Sequence, residues 1–190
     1  GSLSPSRNLA NQLSLDSGFD TCYEADGSAP KQEYLYDIAS CPGYRLPTEA
    51  EWDFAARSGT TSDFWTGSGP DNGGTTTEQG CDYDTVIIDG NLNPYLRDYA
   101  WFCGNTTTTQ PVAQLLPNGF GLYDVHGNRQ EMVSGAGTSF PSGTYLDPNG
   151  TGSSYARGGG TSKEPIYVTL NYRRPMYGAS AAIRLSRTVF

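Results

Sequence analysis

The sequence is poor in the residue types on which most enzymes and nucleic-acid binders depend. It contains one histidine, His126, and only 12 lysines and arginines against 20 acids, a formal net charge of -8. A chain this acidic repels a phosphate backbone and has no run of basic residues to offset that field, so we expect no binding to nucleic acid. No apolar run approaches the roughly 18 residues of a membrane span, so we expect no membrane span in this chain.

Recognisable catalytic motifs are also missing. There is no GxSxG, and the RGGG at residues 157–160 is not a P-loop because no GK[ST] follows it. Acidic pairs such as Asp82 with Asp84, or Asp71 with Glu78, could act as general acid and base, but in so acidic a chain we interpret them as solvated loop charges. His126 lies in a turn beside a glycine and is more typical of an exposed or hydrogen-bonded turn residue than of a ligand. We therefore predict no catalytic residues.

The four cysteines lack the CxxC spacing of zinc sites and thiol redox sites. We favour two disulfides, Cys22 with Cys41 and Cys81 with Cys103, each closing a loop of about 20 residues and contributing about 3 kcal/mol. Disulfides indicate an oxidising compartment, here the periplasm, the cell surface or the secreted fraction. The alternative is four reduced, buried thiols in a cytosolic protein.

Length and composition predict a single domain, residues 1–190, with much irregular backbone. The chain of 190 residues is 36% hydrophobic and contains 24 glycines and 12 prolines, so one core is expected with long loops around it. Residues 60–110 have no sustained period and are predicted to form a long loop region held by a disulfide.

Two segments have helix signals. "LSPSRNLANQLSLDSG" places Ser4 as N-cap, Leu9 and Leu13 one turn apart, and Gly18 as the stop. In "RLPTEAEWDFAARSG", Thr48 and Glu51 are spaced as a capping box, and Gly59 is the stop. Strands are predicted at "YARGG", "IYVTLNY" and "AAIRLSRTVF", and a short strand or turn at "FGLYDV".

Four segments, "GYRLPTEAEWDFAARSG", "LPNGFGLYDVHGN", "ARGGG" and "IRLSR", together resemble the formylglycine-generating enzyme (sulfatase-modifying factor) family, from about residue 19 to 188. The resemblance implies an α+β fold, that family's variant of the C-type lectin fold, with two helices, a small twisted antiparallel sheet and high loop content. Family members usually carry several dozen residues before the first helix. We therefore expect a chain that is shortened at its N-terminus or completed by a partner subunit.

The resemblance also implies what this chain lacks. The family's enzymes oxidise a cysteine in a sulfatase peptide with a copper-binding cysteine pair that lies shortly after the RGG motif. Residues 157–175, "RGGGTSKEPIYVTLNYRRP", contain no cysteine, so we expect neither copper nor that activity. Another branch of the family uses iron held by several histidines. This chain has one histidine, so we expect no such iron site. Whether the chain is an enzyme stays open, with a pseudoenzyme favoured over a divergent oxidoreductase.

The segment "GNRQEM", residues 127–132, stands where the family generally reads GNVWEW, so the local packing is expected to differ. Around it, the resemblance points to a calcium site. Asp124 and Glu131 would supply carboxylate oxygens, and Gly127 and Arg129 would supply backbone carbonyls, the hard donors that calcium prefers. The alternative without metal is that Asp124 caps a turn and Glu131 pairs with an arginine.

The segment at residues 160–182 combines aromatic and guanidinium groups, which favour interfaces. The predicted ligand-binding residues are Tyr167, Asn171, Tyr172, Arg173, Arg174 and Tyr177, with Met176 beside them. The alternative is that the tyrosines pack strands and Arg173 pairs with an acid.

We accordingly predict a non-catalytic binding module for a protein or glycan ligand. The alternatives are the divergent oxidoreductase, a structural subunit of a cell-surface complex, and a variable binding protein diversified by a retroelement. In such variable proteins of this family, the diversified residues follow the RGG motif.

Overall fold

The computed structural model describes residues 4–66, 80–81, 95–134, 155–176 and 181–189. Within them lie helices α1 (Ser4–Asp16) and α2 (Glu49–Arg57) and strands β1 (Ala100–Trp101), β2 (His126–Gly127), β3 (Glu131–Val133), β4 (Tyr155–Arg157) and β5 (Arg174–Pro175). Short 3₁₀ helices span Gln32–Tyr34, Ile38–Ser40, Leu96–Asp98 and Pro165–Val168. Neither α-helix has the length and apolarity of a membrane span.

Helix α1 forms where it is predicted, but its buried face is not the leucine stripe. Leu9 and Leu13 are 52% and 37% exposed, whereas Asn11 and Ser14 are buried. The Asn11 amide donates to the Tyr23 carbonyl at 3.0 Å and accepts from the Tyr23 N–H at 3.2 Å. The inferred apolar stripe is wrong because this helix packs against loop backbone, whose polar groups need hydrogen-bond partners once buried.

Helix α2 begins with the predicted capping box. The Glu51 N–H donates to the Thr48 hydroxyl at 3.2 Å, and the Thr48 N–H donates to the Glu51 carboxylate at 2.9 Å. The last turn ends at Arg57, after which Ser58 and Gly59 have φ of 54° and 90°. Glycine adopts such a left-handed conformation readily, so the predicted stop residue is used as expected.

The strands are shorter than predicted and form two sheets. β1 pairs with β2 in parallel, with Ala100 opposite His126, and the other sheet has the order β3-β4-β5. The antiparallel arrangement implied by the resemblance does not hold for the first pair, because a long connection joins β1 to β2 and permits parallel pairing. β4 confirms the strand predicted at "YARGG".

The strand predicted at "IYVTLNY" is wrong. Pro165–Val168 forms a 3₁₀ helix instead, and Tyr172 donates its N–H to the Thr169 carbonyl at 3.2 Å. Proline fixes φ near helical values and has no N–H for a ladder, which favours the turn over a strand. "FGLYDV" forms the turn rather than the strand, since the Gly121 N–H donates to the Asn118 carbonyl at 2.8 Å.

The chain divides into two compact units. Unit 1 comprises Gly1–Glu51, Met132–Tyr155 and Pro175–Phe190, and unit 2 comprises Trp52–Glu131 and Ala156–Arg174. The single domain expected from the composition stays a prediction.

Unit 1 is built around a cluster of buried residues that includes one disulfide. Ala10, Tyr23 and Ile38 surround the Cys22–Cys41 bond, and Tyr34, Tyr44 and Leu185 pack against this cluster. Arg45, 1% exposed, places both guanidinium arms on the Glu51 carboxylate at 2.6 Å. Its backbone pairs with Ser186 through hydrogen bonds of 2.9 and 2.8 Å. Arg45 thus joins two of the motifs that carry the family resemblance, "GYRLPTEAEW" and "IRLSR".

Unit 2 has its own buried cluster of Phe64, Leu96, Ala100, Phe102 and Val168. Beside it, Cys81 and Cys103 form the second disulfide. Both bonds are those of the favoured pairing, and no cysteine of the chain is free.

Candidate functional site

The RGGG motif at the start of the candidate site is anchored by a buried arginine. Arg157, 2% exposed, donates from Nη2 to the Asp53 carboxylate at 2.6 Å and also to the Leu170 carbonyl. Its guanidinium lies over the Trp52 ring, 5.0 Å from the ring centroid. Burying an arginine costs free energy because its charge loses contact with water. Pairing with a carboxylate, as occurs here, offsets that cost. Arg157 therefore holds the following segment to helix α2.

The glycines of the motif permit a close backbone approach. Gly158 and Gly159 have φ of 82° and 72°. A Cβ at Gly159 would lie 2.1 Å from the Tyr167 carbonyl oxygen, and the Gly158 carbonyl accepts the Gly127 N–H at 2.6 Å. A side chain at Gly159 would therefore be strained twice, by its dihedral and by the clash. Glycine here brings Tyr167 back against the motif.

Asn171, a predicted ligand-binding residue, forms its side-chain hydrogen bonds within the protein. Its side-chain oxygen accepts from Arg57 at 2.7 Å, and its amide donates to the buried Asp63 carboxylate. The Asp63 carbonyl in turn accepts the Leu170 N–H at 2.7 Å. Asn171 thus ties the segment down, and its polar groups already have partners in the protein.

The part of the segment between Arg157 and Asn171 contains buried apolar residues. Val168 and Leu170 are fully buried, and Val168 belongs to the core of unit 2. The Val168 carbonyl accepts from His126 Nδ1 at 2.8 Å. Backbone held at this many points is pre-organised, which lowers the entropy that a ligand must remove on binding.

His126 is fully buried and neutral. Because Nδ1 must donate to the Val168 carbonyl, Nε2 is left to accept the Trp65 N–H at 3.4 Å. Burial is the main cause that lowers the pKa of His126 to about 4; the Val168 hydrogen bond opposes this, and the nearby Arg57 charge adds to it. The histidine is hydrogen-bonded as expected, whereas the alternative of an exposed turn residue is wrong.

The outward side of the segment presents an aromatic pair and a cation. Tyr167 is 39% exposed and meets Tyr172 in a T-shaped contact with ring centroids 5.2 Å apart. The Lys163 ammonium lies over the Tyr167 ring, 5.6 Å from its centroid. We call Lys163, Tyr167, Tyr172 and Arg174 the display face. The sequence-based prediction did not include Lys163, because this residue precedes the 3₁₀ helix and its position over the Tyr167 ring depends on the folded backbone.

The remaining predicted ligand residues lie near the end of the segment. Arg174, on β5, donates to the Gln130 side-chain oxygen at 3.4 Å. Arg173 and Met176 are half-buried. Tyr177 lies outside the described residues. The structure thus brings Tyr167 and Tyr172 into contact and turns Asn171 inward.

Of the four predicted calcium positions, Gly127 lies in β2, Glu131 begins β3, and Asp124 and Arg129 lie in the turns beside β2. The Asp124 carboxylate accepts the Ala113 N–H at 2.8 Å, and the buried Glu131 carboxylate accepts the Trp52 indole N–H at 2.7 Å. Gly127 has φ of 76°, and the described residues contain no group of three or more His, Cys, Asp or Glu that could hold a metal. Two carboxylates and two backbone carbonyls are hard oxygen donors, so their chemistry fits calcium. The site stays a prediction.

Gln130 and Met132, which stand where the family motif has tryptophan, form polar contacts. Gln130 contacts Arg174 as described, and the Met132 sulfur accepts from the Ser6 hydroxyl at 3.2 Å. These contacts are ones that tryptophan could not make in the same way, since an indole offers a donor only.

The chain matches known proteins along most of its length. The family profile described as "Sulfatase-modifying factor enzyme 1-like domain" matches residues 7–185. The formylglycine-generating enzyme of Mycobacterium tuberculosis is 38% identical over 114 residues, which are 57% of this chain and 32% of that protein. A protein of Paenibacillus barcinonensis named "Chaperone protein LppX" is 36% identical over 94 residues, 47% of this chain and 30% of that protein. The chain therefore spans about a third of the length of these curated relatives.

Among solved structures, the "Treponema denticola variable protein 1" superposes on this chain with a TM-score of 0.66. The identity is 22%, and the superposition covers 96% of this chain and 66% of that one. At this identity the likeness concerns the fold alone, and it confirms the predicted α+β class.

Proposed function

Because the chain belongs to the sulfatase-modifying factor enzyme 1-like domain family, we propose that it uses that family's fold as a non-catalytic binding module in an oxidising compartment. The observation that carries the proposal is the segment at residues 157–174. It contains no cysteine, and the chain's four cysteines are all used in disulfides. Cysteine oxidation through copper needs thiolates, so a different use of this segment is favoured.

The arrangement of the segment supports binding. Its inner side is fixed by Arg157, Asn171 and Val168, whereas its outer side exposes Tyr167 beside Tyr172 and Lys163. Tyrosine offers a large contact area at a low cost in conformational entropy, and a rigid base lowers that cost further. The proposed partner is a protein or glycan ligand.

The fold of the variable protein suggests a more specific version of this function. Its likeness to this chain concerns the fold alone. The name of that protein indicates a variable sequence, which suggests a scaffold of constant fold with a variable binding surface. In this version the residues after the RGGG motif would differ between copies of the gene. Sequencing of related loci would show variation confined to that segment, and uniform sequences would count against it.

The test of binding uses arrays of defined glycans and of random peptides, followed by affinity measurement on the best binder. We expect the double variant Tyr172→Ala with Arg174→Ala to keep its melting temperature and to bind about 30-fold more weakly. Tyr95 and Arg97 provide the control, since this arginine also lies over a tyrosine ring, 5.7 Å from its centroid, outside the segment. Equal affinities of the wild type and the display-face variant would reject the surface.

A divergent oxidoreductase is the competing function. It would retain one copper ion per chain in native mass spectrometry and convert a cysteine peptide to an aldehyde. We expect neither property, and finding both would overturn the proposal.

A further inference from the structure

The display face carries a charge opposite to that of the chain. Residues 157–174 contain four basic residues, Arg157, Lys163, Arg173 and Arg174, and one acid, Glu164, whereas the whole chain has a net charge of -8. Arg157 is buried and paired with Asp53, which also pairs with Arg57, so it is not part of the outer surface. The segment therefore concentrates cationic groups on an otherwise acidic molecule.

Lys163 is held in place without an acidic partner among the described residues. No described carboxylate forms an ion pair with it. Its N–H donates to the Gly160 carbonyl at 2.9 Å, and its carbonyl accepts the N–H of the disulfide-bonded Cys103 at 3.1 Å. The ammonium is thus attached to a fixed backbone, and its nearest described contact is the Tyr167 ring.

Arg174 offers a second cation. Its described side-chain contact is the neutral Gln130 amide oxygen at 3.4 Å, a long hydrogen bond that a carboxylate could replace. Tyr172 lies between Lys163 and Arg174 along the segment and packs on Tyr167. Cations and phenol groups therefore follow one another along the same short segment.

The arrangement of the two tyrosine rings disfavours stacking of a sugar ring on them. Lys163 covers one face of Tyr167, and Tyr172 contacts the same ring in a T-shape. A pyranose stacks on an open aromatic face, whereas Tyr167 has the Lys163 ammonium over its ring and the Tyr172 ring packed against it. A carboxylate can accept from both a phenol hydroxyl and an ammonium.

From this geometry, and resting on the proposed binding function, we propose that the display face binds an acidic polypeptide segment, with carboxylates on Lys163 and Arg174 and an apolar side chain against the tyrosine pair. The net negative charge does not forbid it. At physiological ionic strength the Debye length is about 8 Å, so distant acids are screened while the local cations still act.

The experiment measures binding of a fluorescent glutamate–tyrosine copolymer to the whole chain at about 0.15 M salt. Poly-lysine and dextran sulfate are measured in parallel. We expect the acidic copolymer to bind and dextran sulfate not to bind, whereas poly-lysine is attracted by the net charge of -8 and should be indifferent to the display face. Lys163→Gln with Arg174→Gln should weaken copolymer binding about tenfold, typical of two partly exposed charges. Lys31→Gln is the matched control because the chain contains only two lysines, and it should leave the affinity unchanged.

The possible results separate this inference from the binding function. Absence of copolymer binding, or equal loss in the Lys31→Gln control, would overturn the inference. Binding of dextran sulfate in place of the copolymer would also overturn it, in favour of a sulfated glycan. An array ligand that requires Tyr172 but carries no acidic group would refute the acidic partner and leave the binding function standing.

Discussion

Several single residues that look functional in the sequence have structural roles in the folded chain. Arg45 and Arg157, both parts of family-like motifs, are buried and paired with Glu51 and Asp53. A buried arginine whose partner is removed leaves an uncompensated charge, which costs roughly 3–5 kcal/mol. The motifs are therefore recognisable because they hold the fold, and they do not by themselves indicate catalysis.

His126 leads to a prediction at this scale. Its folded-state pKa is lowered to about 4 from the ordinary value of 6.5, mainly by burial. Between these values the unfolded chain takes up a proton that the folded chain excludes, so stability falls as the pH decreases through this window. The loss approaches about 3 kcal/mol near pH 4 and does not grow further below it.

Because the chain contains one histidine, an NMR titration of the imidazole measures this pKa without ambiguity. The His126→Asn variant keeps a donor for the Val168 carbonyl and should lose this part of the pH dependence in urea unfolding. Both measurements belong in chelator, so that bound metal does not contribute. A pKa near 6.5 in the folded protein would contradict the prediction.

Helix α2 is the element that connects most of the features described above. Its N-terminal residues include Glu51, and its middle contributes Trp52 and Asp53 to the Glu131 and Arg157 contacts. Burial would raise the pKa of Glu51, but the hydrogen bonds from Arg45 and Thr48 outweigh burial and lower it. The start of the helix is thus fixed from its cap and from the core of unit 1.

We expect Thr48→Ala to lower the free energy of unfolding by about 1 kcal/mol, because the Glu51 N–H loses its acceptor. Urea denaturation measures the change. Thr109→Ala, a substitution of an exposed loop threonine, is the control and should lie within about 0.5 kcal/mol of the wild type. Equal effects of the two substitutions would show that the capping box contributes nothing specific.

The segment at residues 157–174 is the second informative element. Its alternation suggested a strand, but it folds as a 3₁₀ helix between two anchored ends. Its conformation is set by Arg157, Asn171 and the buried Val168. The residues that they contact, among them Asp53 and Arg57, lie far away in the sequence, so no local pattern could have indicated these contacts.

At the scale of the molecule, two disulfides and two buried clusters hold together the described residues, many of which lie outside helices and strands. Each disulfide lies in or beside one cluster. Restricting the unfolded chain adds about 3 kcal/mol per bond in the chain-entropy model. In the part of the chain that the structure describes, the disulfides and buried clusters therefore supplement the short helices and strands.

Calcium, if it binds at Asp124, Gly127, Arg129 and Glu131, would stabilise the whole molecule. We expect calcium at about 100 times its dissociation constant to raise the unfolding free energy by about 2.7 kcal/mol. Glu131→Gln keeps an oxygen for the Trp52 indole N–H but loses the charge, so it should abolish this gain while matching the wild type closely in chelator.

Glu24→Gln, at an exposed position, is the matched control and should retain the calcium response. Melting curves in calcium and in chelator provide the comparison. Equal losses for Glu131→Gln in both conditions would reject the site and assign Glu131 to the Trp52 contact alone.

Local patterns were sufficient to predict the capping box of α2, the glycine stop and the β4 strand, because each depends on residues close together in the chain. The cysteine pairing followed from the choice of the two shortest loops. The α+β fold followed from the order of four motifs. The buried face of α1, the inward Asn171 and the paired Lys163 and Tyr167 depended on tertiary packing. Their conformations are decided by which backbone groups and charges become buried together, and that is set only when distant segments meet.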